Sequence, residues 1–324
     1  MKPLLLAAAL LMLVAAGKPW RWDLPAGVDA PPVPADNPMS AAKVELGRRL
    51  FYDADLSADG TMACAACHEQ KRGFADGNAT RPGVHGDPGR RNVPGLANVG
   101  WLSPLTAADP SLTRLEDQAL VPLLGTQPVE MGMTGRETEL PRRLGADACY
   151  RTMFARAFPA EKGRIDTRTV TAALAAFQRT LIARDNPYDR FRRAEASIPA
   201  AAQQGLRLFD RHCAACHGGQ DMTDLRYHGF EPAEARDPGL IEKTGRAADA
   251  GLFRTASLRN VAVTGPWWHD GSARSMTDAI RRHRLPISED AMPPIAALLE
   301  QFTDVIFLTD PRFAMPDHAC GKRL

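Results

Sequence analysis

Cys64-Ala65-Ala66-Cys67-His68 returns in the second half of the chain as Cys213-Ala214-Ala215-Cys216-His217. In this spacing two thiols one helical turn apart reach the two vinyl groups of a haem. The histidine that follows is then set beneath the iron as an axial ligand. A zinc or redox Cys-x-x-Cys that happens to precede a histidine is the plain alternative for a single copy. Two copies in one chain with an export-type start argue against that coincidence. The chain reads as a dihaem c-type cytochrome carrying two covalently bound haem c groups. Cys64, Cys67, Cys213 and Cys216 are the attachment residues, and His68 and His217 the proximal iron ligands.

The repeat extends upstream. Gly47-Arg48-Arg49-Leu50-Phe51 precedes the first motif and Gly205-Leu206-Arg207-Leu208-Phe209 the second. Thirteen residues separate phenylalanine from first cysteine in one copy and four in the other, so the first carries an inserted loop over 52–63. Two homologous haem units, each opening with a helix beside its porphyrin, follow from this pattern.

The 324 residues are 44% hydrophobic and 24% charged with net charge +2, ordinary for a globular protein. No Lys/Arg-dense run suits a phosphate backbone, so nucleic acid is not an expected partner. Lys2 and the apolar run 3–16 form a short h-region followed by small residues, which reads as a secretory signal over 1–17. An uncleaved N-terminal anchor helix is the other reading. Export suits covalent haem attachment and places the protein in the periplasm, without stable membrane insertion after cleavage. Six cysteines less four for haem leave Cys149 and Cys320, which either pair in that oxidising compartment or are unrelated.

Residues 18–39 are proline-rich and read as an extended lead-in. Helical periodicity begins at Ser40 and recurs over 112–124, 167–183, 275–284 (opened by Ser275, stopped by Pro286) and 293–308. Strand signals are sparse. The expected fold is mainly α, with two cytochrome c-like haem domains and long connecting loops. The N-terminal haem domain is placed at 40–190 and the C-terminal one at 191–324.

The order of phrases from about 46 to 310 resembles the bacterial dihaem cytochrome c peroxidase and MauG superfamily. Its most specific stretch is Phe253-Arg254-Thr255-Ala256-Ser257-Leu258-Arg259-Asn260-Val261-Ala262-Val263-Thr264-Gly265-Pro266, followed by His269-Asp270-Gly271. Arg91-Asn92-Val93-Pro94 and Pro128-Val129-Glu130-Met131 are further landmarks. The segment 110–118 and Glu130-Met131-Gly132-Met133 look most like the methanobactin-associated MbnH branch, which oxidises a tryptophan of a partner protein to kynurenine.

The resemblance implies that the N-terminal haem is peroxide-reactive and the C-terminal haem an electron-transfer centre. Glu130 and Gln118 match polar residues over the open face of the first haem, and Glu130 is the general acid/base candidate. His85 lies where peroxidases carry a switchable ligand; an exposed loop histidine is the alternative. Asn92, Thr264 and Pro266 match oxygen ligands of a calcium between the haems. Twelve residues beyond the His-Asp-Gly phrase the count reaches His283, giving His217/His283 ligation, with Met276 and Met292 as rivals. Arg254, Arg259 and His228 are candidates for the haem propionates. The tryptophan that relatives place between the haems falls near Ala107 or Ala108 here, leaving Trp101, Trp267 and Trp268 as candidates.

Three functions fit. One is a MauG- or MbnH-like enzyme that uses hydrogen peroxide to oxidise a side chain of a periplasmic partner protein. Another is a cytochrome c peroxidase fed by a small redox protein, and the third a non-catalytic dihaem electron carrier.

Overall fold

The computed structural model describes residues 20–229 and 237–323; the expected signal segment 1–17 lies outside them. In chain order the helices are α1 (Ala41–Phe51), α2 (Cys64–Cys67), α3 (Leu115–Gln118), α4 (Leu120–Leu124), α5 (Glu139–Ala146), α6 (Ala148–Ala157), α7 (Thr167–Gln178), α8 (Pro187–Arg192), α9 (Ala200–His212), α10 (Ala214–His217), α11 (Ile241–Thr244), α12 (Met276–Arg282), α13 (Met292–Glu300) and α14 (Val305–Thr309). Two antiparallel two-stranded pairs complete the described structure: β1 (Tyr227–His228) with β2 (Phe253–Arg254), and β3 (His318–Ala319) with β4 (Lys322–Arg323). The fold is mainly helical, with long loops. No described helix is long and apolar enough to cross a membrane.

The repeated glycine explains itself in three dimensions. Helix α1, capped by the Ser40 hydroxyl, crosses α7, and a Cβ on Gly47 would lie 1.9 Å from the Ala173 carbonyl oxygen. Helix α9 crosses α13 in the same way, and a Cβ on Gly205 would lie 2.0 Å from the Pro294 carbonyl oxygen. Each crossing is thus too close for any side chain, and the Leu and Phe of the phrase turn inward. Phe51 packs edge-on against Phe177 and Phe74, and Phe209 edge-on against Phe302. These rings anchor two separate apolar clusters.

A second repeat was not read from the sequence. Asn98 and Asn260 both adopt left-handed backbone (φ 58° and 59°), each starting a short 3₁₀ turn. Asn98 grips the exit of α7: its N–H donates to the Leu181 carbonyl, its Oδ1 accepts from Ala183 N–H and its Nδ2 donates to the Ala183 carbonyl. Asn260 grips the exit of α13, donating from its N–H to the Phe302 carbonyl and accepting from Asp304 N–H. These clamps end both helices early. The helix expected over 167–183 stops at Gln178, and that expected over 293–308 divides into α13 and α14. The 112–124 helix also divides, because Arg114 is extended and α4 carries Pro122, which has no N–H to give.

The tail of the expected 191–324 unit packs elsewhere. Phe307, Phe313 and Ala319 belong to the first cluster, not the second. Gln70 donates to the Phe307 and Asp310 carbonyls and Tyr52 to the Phe313 carbonyl, and a Cys149–Cys320 disulfide fastens the end to α6. The physical reason is apolar: α9 and α13 fill the smaller second core, while Phe307 meets Phe74 at 5.6 Å in the larger one. The two spare cysteines therefore pair.

Candidate haem sites

Helix α2 is one turn, with Cys64 and Cys67 at its ends and His68 as its C-cap. The four motif cysteines are free thiols and half-buried. Burial pushes the Cys64 thiol up to about 12 and Cys67 up to about 11. That is the reverse of a redox Cys-x-x-Cys, whose thiol is lowered.

The His68 Nδ1 lies 2.7 Å from the Phe74 carbonyl oxygen, which can only accept, so Nδ1 carries the proton and Nε2 keeps its lone pair. Burial also holds this imidazole below its usual range, hence neutral. A metal-binding histidine needs both conditions. Phe74 itself has φ 62°, an uncommon backbone for a bulky residue, within the tight turn that presents this carbonyl.

Glu130 lies across from α2 in a strand-like segment fixed on several sides. Its carbonyl accepts from Val84 N–H; Met131 N–H donates to the Pro122 carbonyl and Met133 N–H to the Leu123 carbonyl; the Met131 carbonyl accepts from Ala58 N–H. The inserted loop 52–63 and α4 therefore hold the acid between them. Burial raises the Glu130 carboxyl above the usual carboxylate range, and its charge reaches both Cys64 and Cys67. Gln118 ends α3, half-buried, four residues ahead of Pro122. The His85 ring is exposed and rests over Gly132, so the loop that carries it touches the Glu130 segment.

In the second half His217 faces His283. Their ring centres are 6.2 Å apart and their planes are inclined by 68°. Two imidazoles on opposite sides of one metal, with bonds of roughly 2.0–2.1 Å and about 1 Å from each nitrogen to its ring centre, come to roughly 6 Å. His283 is oriented for this: its Nδ1 lies 2.8 Å from the Ala279 carbonyl oxygen, one turn back, which leaves Nε2 directed off the helix end. Burial, aided by its partner, lowers His217 to about 4, and burial lowers His283, so both rings are neutral. The His217 Nδ1 is buried without a well-aligned partner, although the Met222 and Ala256 backbone lies close enough to favour its proton. The donor set fits a haem in each half. Met292, a rival for the sixth position, is 4% exposed within the second apolar cluster.

Other expected residues separate. The Asn92 amide donates to the Asn78 and Ala79 carbonyls, and Asn92 N–H to the His269 carbonyl. This ties Asn92 to the loop that contains Thr264 and Pro266, where the Thr264 methyl meets Gly73 and Gly95. Arg259 is spent on Asp189 and on the Gln220 and Ala183 carbonyls, so it is a buried clamp and not a propionate ligand. His228 pairs with Asp224 at 2.8 Å, beside Cys216. Trp268 meets His283 edge-on at 5.2 Å, whereas Trp267 donates to the Val261 carbonyl and Trp101 lies under Arg184.

Known proteins share this arrangement. A family model described as di-haem cytochrome c peroxidase matches residues 41–197. The chain is 32% identical to the methylamine utilization protein MauG of Methylophilus methylotrophus, over 84% of this chain and 82% of that one. It is 34% identical to the cytochrome c peroxidase Ccp of Escherichia coli, over 77% of this chain and 54% of that one. Among solved structures, a MauG-like protein associated with microbial copper homeostasis superposes with a TM-score of 0.87 at 36% identity, over 92% of this chain and 99% of that one. With two haem cofactors in a mainly helical fold, the chain belongs to the di-haem cytochrome c peroxidase and MauG family of haem enzymes.

Proposed function

We propose that this protein uses hydrogen peroxide at its N-terminal haem to oxidise a side chain of a partner protein, probing that partner by long-range electron transfer through the C-terminal haem. The observation that carries the reading is the asymmetry of the two sites: a buried acid stands by His68, and a second histidine faces His217. Tryptophan is the side chain we favour, as in the MbnH branch, and the likeness to a copper-homeostasis protein supports that branch.

Cys64, Cys67, Cys213 and Cys216 hold the haems as thioethers in this reading, with His68, His217 and His283 on iron. Bound haem supplies an iron and a porphyrin that peroxide can oxidise. The protein does the rest. Glu130, its carboxyl raised by burial, takes the proton of incoming peroxide and returns it to the departing oxygen. Gln118 is assigned to orienting peroxide, and the fixed backbone around Glu130 keeps the carboxyl from rotating away. Reduction of peroxide to water takes two electrons, drawn here from the partner. Paired imidazoles favour the higher oxidation state of an iron more than a His/Met pair does. That suits a centre that stores oxidising equivalents. Asn92, Thr264 and Pro266 are assigned to a calcium joining the halves, with units near 40–190 and 191–304. The disulfide supports an exported, periplasmic location.

A cytochrome c peroxidase is the second reading, favoured by the His85 loop lying on the Glu130 segment. One equivalent of hydrogen peroxide added to the diferric protein separates the two. Rapid loss of both ferric paramagnetic signals is expected. No change until one haem is reduced would establish the peroxidase and overturn the oxidase reading.

A further inference from the structure

The seam between the halves holds a buried cation with no carboxylate partner. Arg254 lies on β2, and its N–H donates to the Ala107 carbonyl. Its guanidinium reaches three carbonyls only, those of Thr106 (3.2 Å), Thr255 (3.2 Å) and Leu105 (3.3 Å). These are long contacts, and among the described residues no carboxylate pairs with it. Carbonyl dipoles do not neutralise a charge, and burying an unpaired charge is costly. Opposite Arg254 in the β1–β2 register stands Tyr227, whose hydroxyl is buried and has no hydrogen-bond partner among the described residues. Asp109, the other charge felt by Tyr227, is already engaged by Lys243 and Ser111. A cation and a phenol O–H on the same face of one strand pair thus both want an acceptor that carries negative charge.

This strand pair is fastened to the second haem motif. Asp224 N–H donates to the Cys216 carbonyl, Thr255 N–H to the Arg226 carbonyl, and the Thr223 hydroxyl to the Thr255 carbonyl. His228, next to Tyr227, lies within a few ångströms of the Cys216 sulfur, and the Ala256 backbone borders the His217 ring. A group joined to Cys216 and ligated by His217 would bring its own carboxylates to this neighbourhood.

We propose that Tyr227 and Arg254 form a carboxylate clamp that holds a propionate of the haem attached at Cys213 and Cys216, at the seam with the 105–109 segment. The clamp rests on the assignment of haem to that motif, not on the reaction with peroxide. A guanidinium beside the propionate keeps it ionised and raises the reduction potential of the C-terminal haem, since positive charge favours the reduced iron. The phenol adds a hydrogen bond of the same sign. The alternative occupant of the same chemistry is a free carboxylate or other small anion from solution.

The test is spectroelectrochemical titration of the holoprotein from pH 5 to 9, with no peroxide and no partner, for the wild type, Arg254→Gln, Arg254→Lys and Tyr227→Phe. In Arg254→Gln the potential of the C-terminal haem is expected to fall and to acquire a pH-dependent step, as the propionate begins to titrate. Arg254→Lys should restore both, and Tyr227→Phe should give a smaller fall. The N-terminal haem should be unchanged in all. If Arg254→Gln does not retain haem, the Tyr227→Phe shift decides. Potentials and pH profiles equal to wild type would overturn the clamp. So would a wild-type potential that moves with added acetate, which would assign the site to an exchangeable anion. Failure of the peroxide reaction leaves these results standing.

Discussion

The first and second halves of this molecule are built on one frame and finished differently. In each, a glycine lets two helices cross at backbone distance, an asparagine in left-handed conformation clamps the exit of the second helix, and Cys-x-x-Cys-His follows the first. They part at the far side of the histidine. The first half inserts a loop over 52–63 and braces a buried acid, Glu130, against it. The second half spends the same space on α12, whose end delivers His283 opposite His217. A shared frame can therefore support one site built for proton transfer and another built to be saturated with imidazole. The difference lies in loops, which tolerate insertion, and not in the crossings, which do not.

The comparison breaks most easily at His283. His283→Ala should abolish one low-spin signal in electron paramagnetic resonance and leave the signal from the first half intact; an unaltered spectrum would end the contrast. Next in size is Glu130→Gln, expected to slow the peroxide reaction about 10²- to 10⁴-fold. Because the Glu130 carboxyl is raised, the wild-type rate should fall with decreasing pH at values above the usual carboxylate range, as the base becomes protonated. Glu130→Gln should lack that limb in a stopped-flow pH series.

The Cys149–Cys320 disulfide belongs to the first half alone. Replacing both cysteines with serine should cost about 2–4 kcal/mol. It should also speed hydrogen exchange in 305–323 while sparing α9 and α13; even loosening of both cores would contradict the packing of the tail on the first. The smallest effects test the likeness itself. Gly47→Ala and Gly205→Ala each force a backbone shift and should each cost about 1–3 kcal/mol in thermal unfolding. A tolerated Gly205→Ala would mean that the second crossing is looser than the first.

Much of this was legible in the chain. The two motifs, the Gly-x-x-Leu-Phe phrases and the cap at Ser40 are local patterns whose chemistry or periodicity needs no partner to be recognised. His283 was reached by counting from the His-Asp-Gly phrase, and the 6.2 Å separation agrees with that count. Helix ends were not legible. Nothing local to 179–183 or 301–304 announces a stop, because the groups that take those backbone bonds, Asn98 and Asn260, are remote in sequence. Arg259 looked like an anion ligand because sequence does not reveal that Asp189 already occupies it.

By itself, then, the sequence determined the attachment chemistry, the duplicated frame and the identity of the axial histidines. Each rests on covalent spacing within a few residues. Only the tertiary structure decided that the spare cysteines pair, that the C-terminal tail crosses to the first core, and that Arg254 and Tyr227 share a face with no anion of the chain to meet them. Those outcomes depend on which distant surfaces offer an apolar partner or an unfilled hydrogen bond, and that competition is settled only when the whole chain is packed.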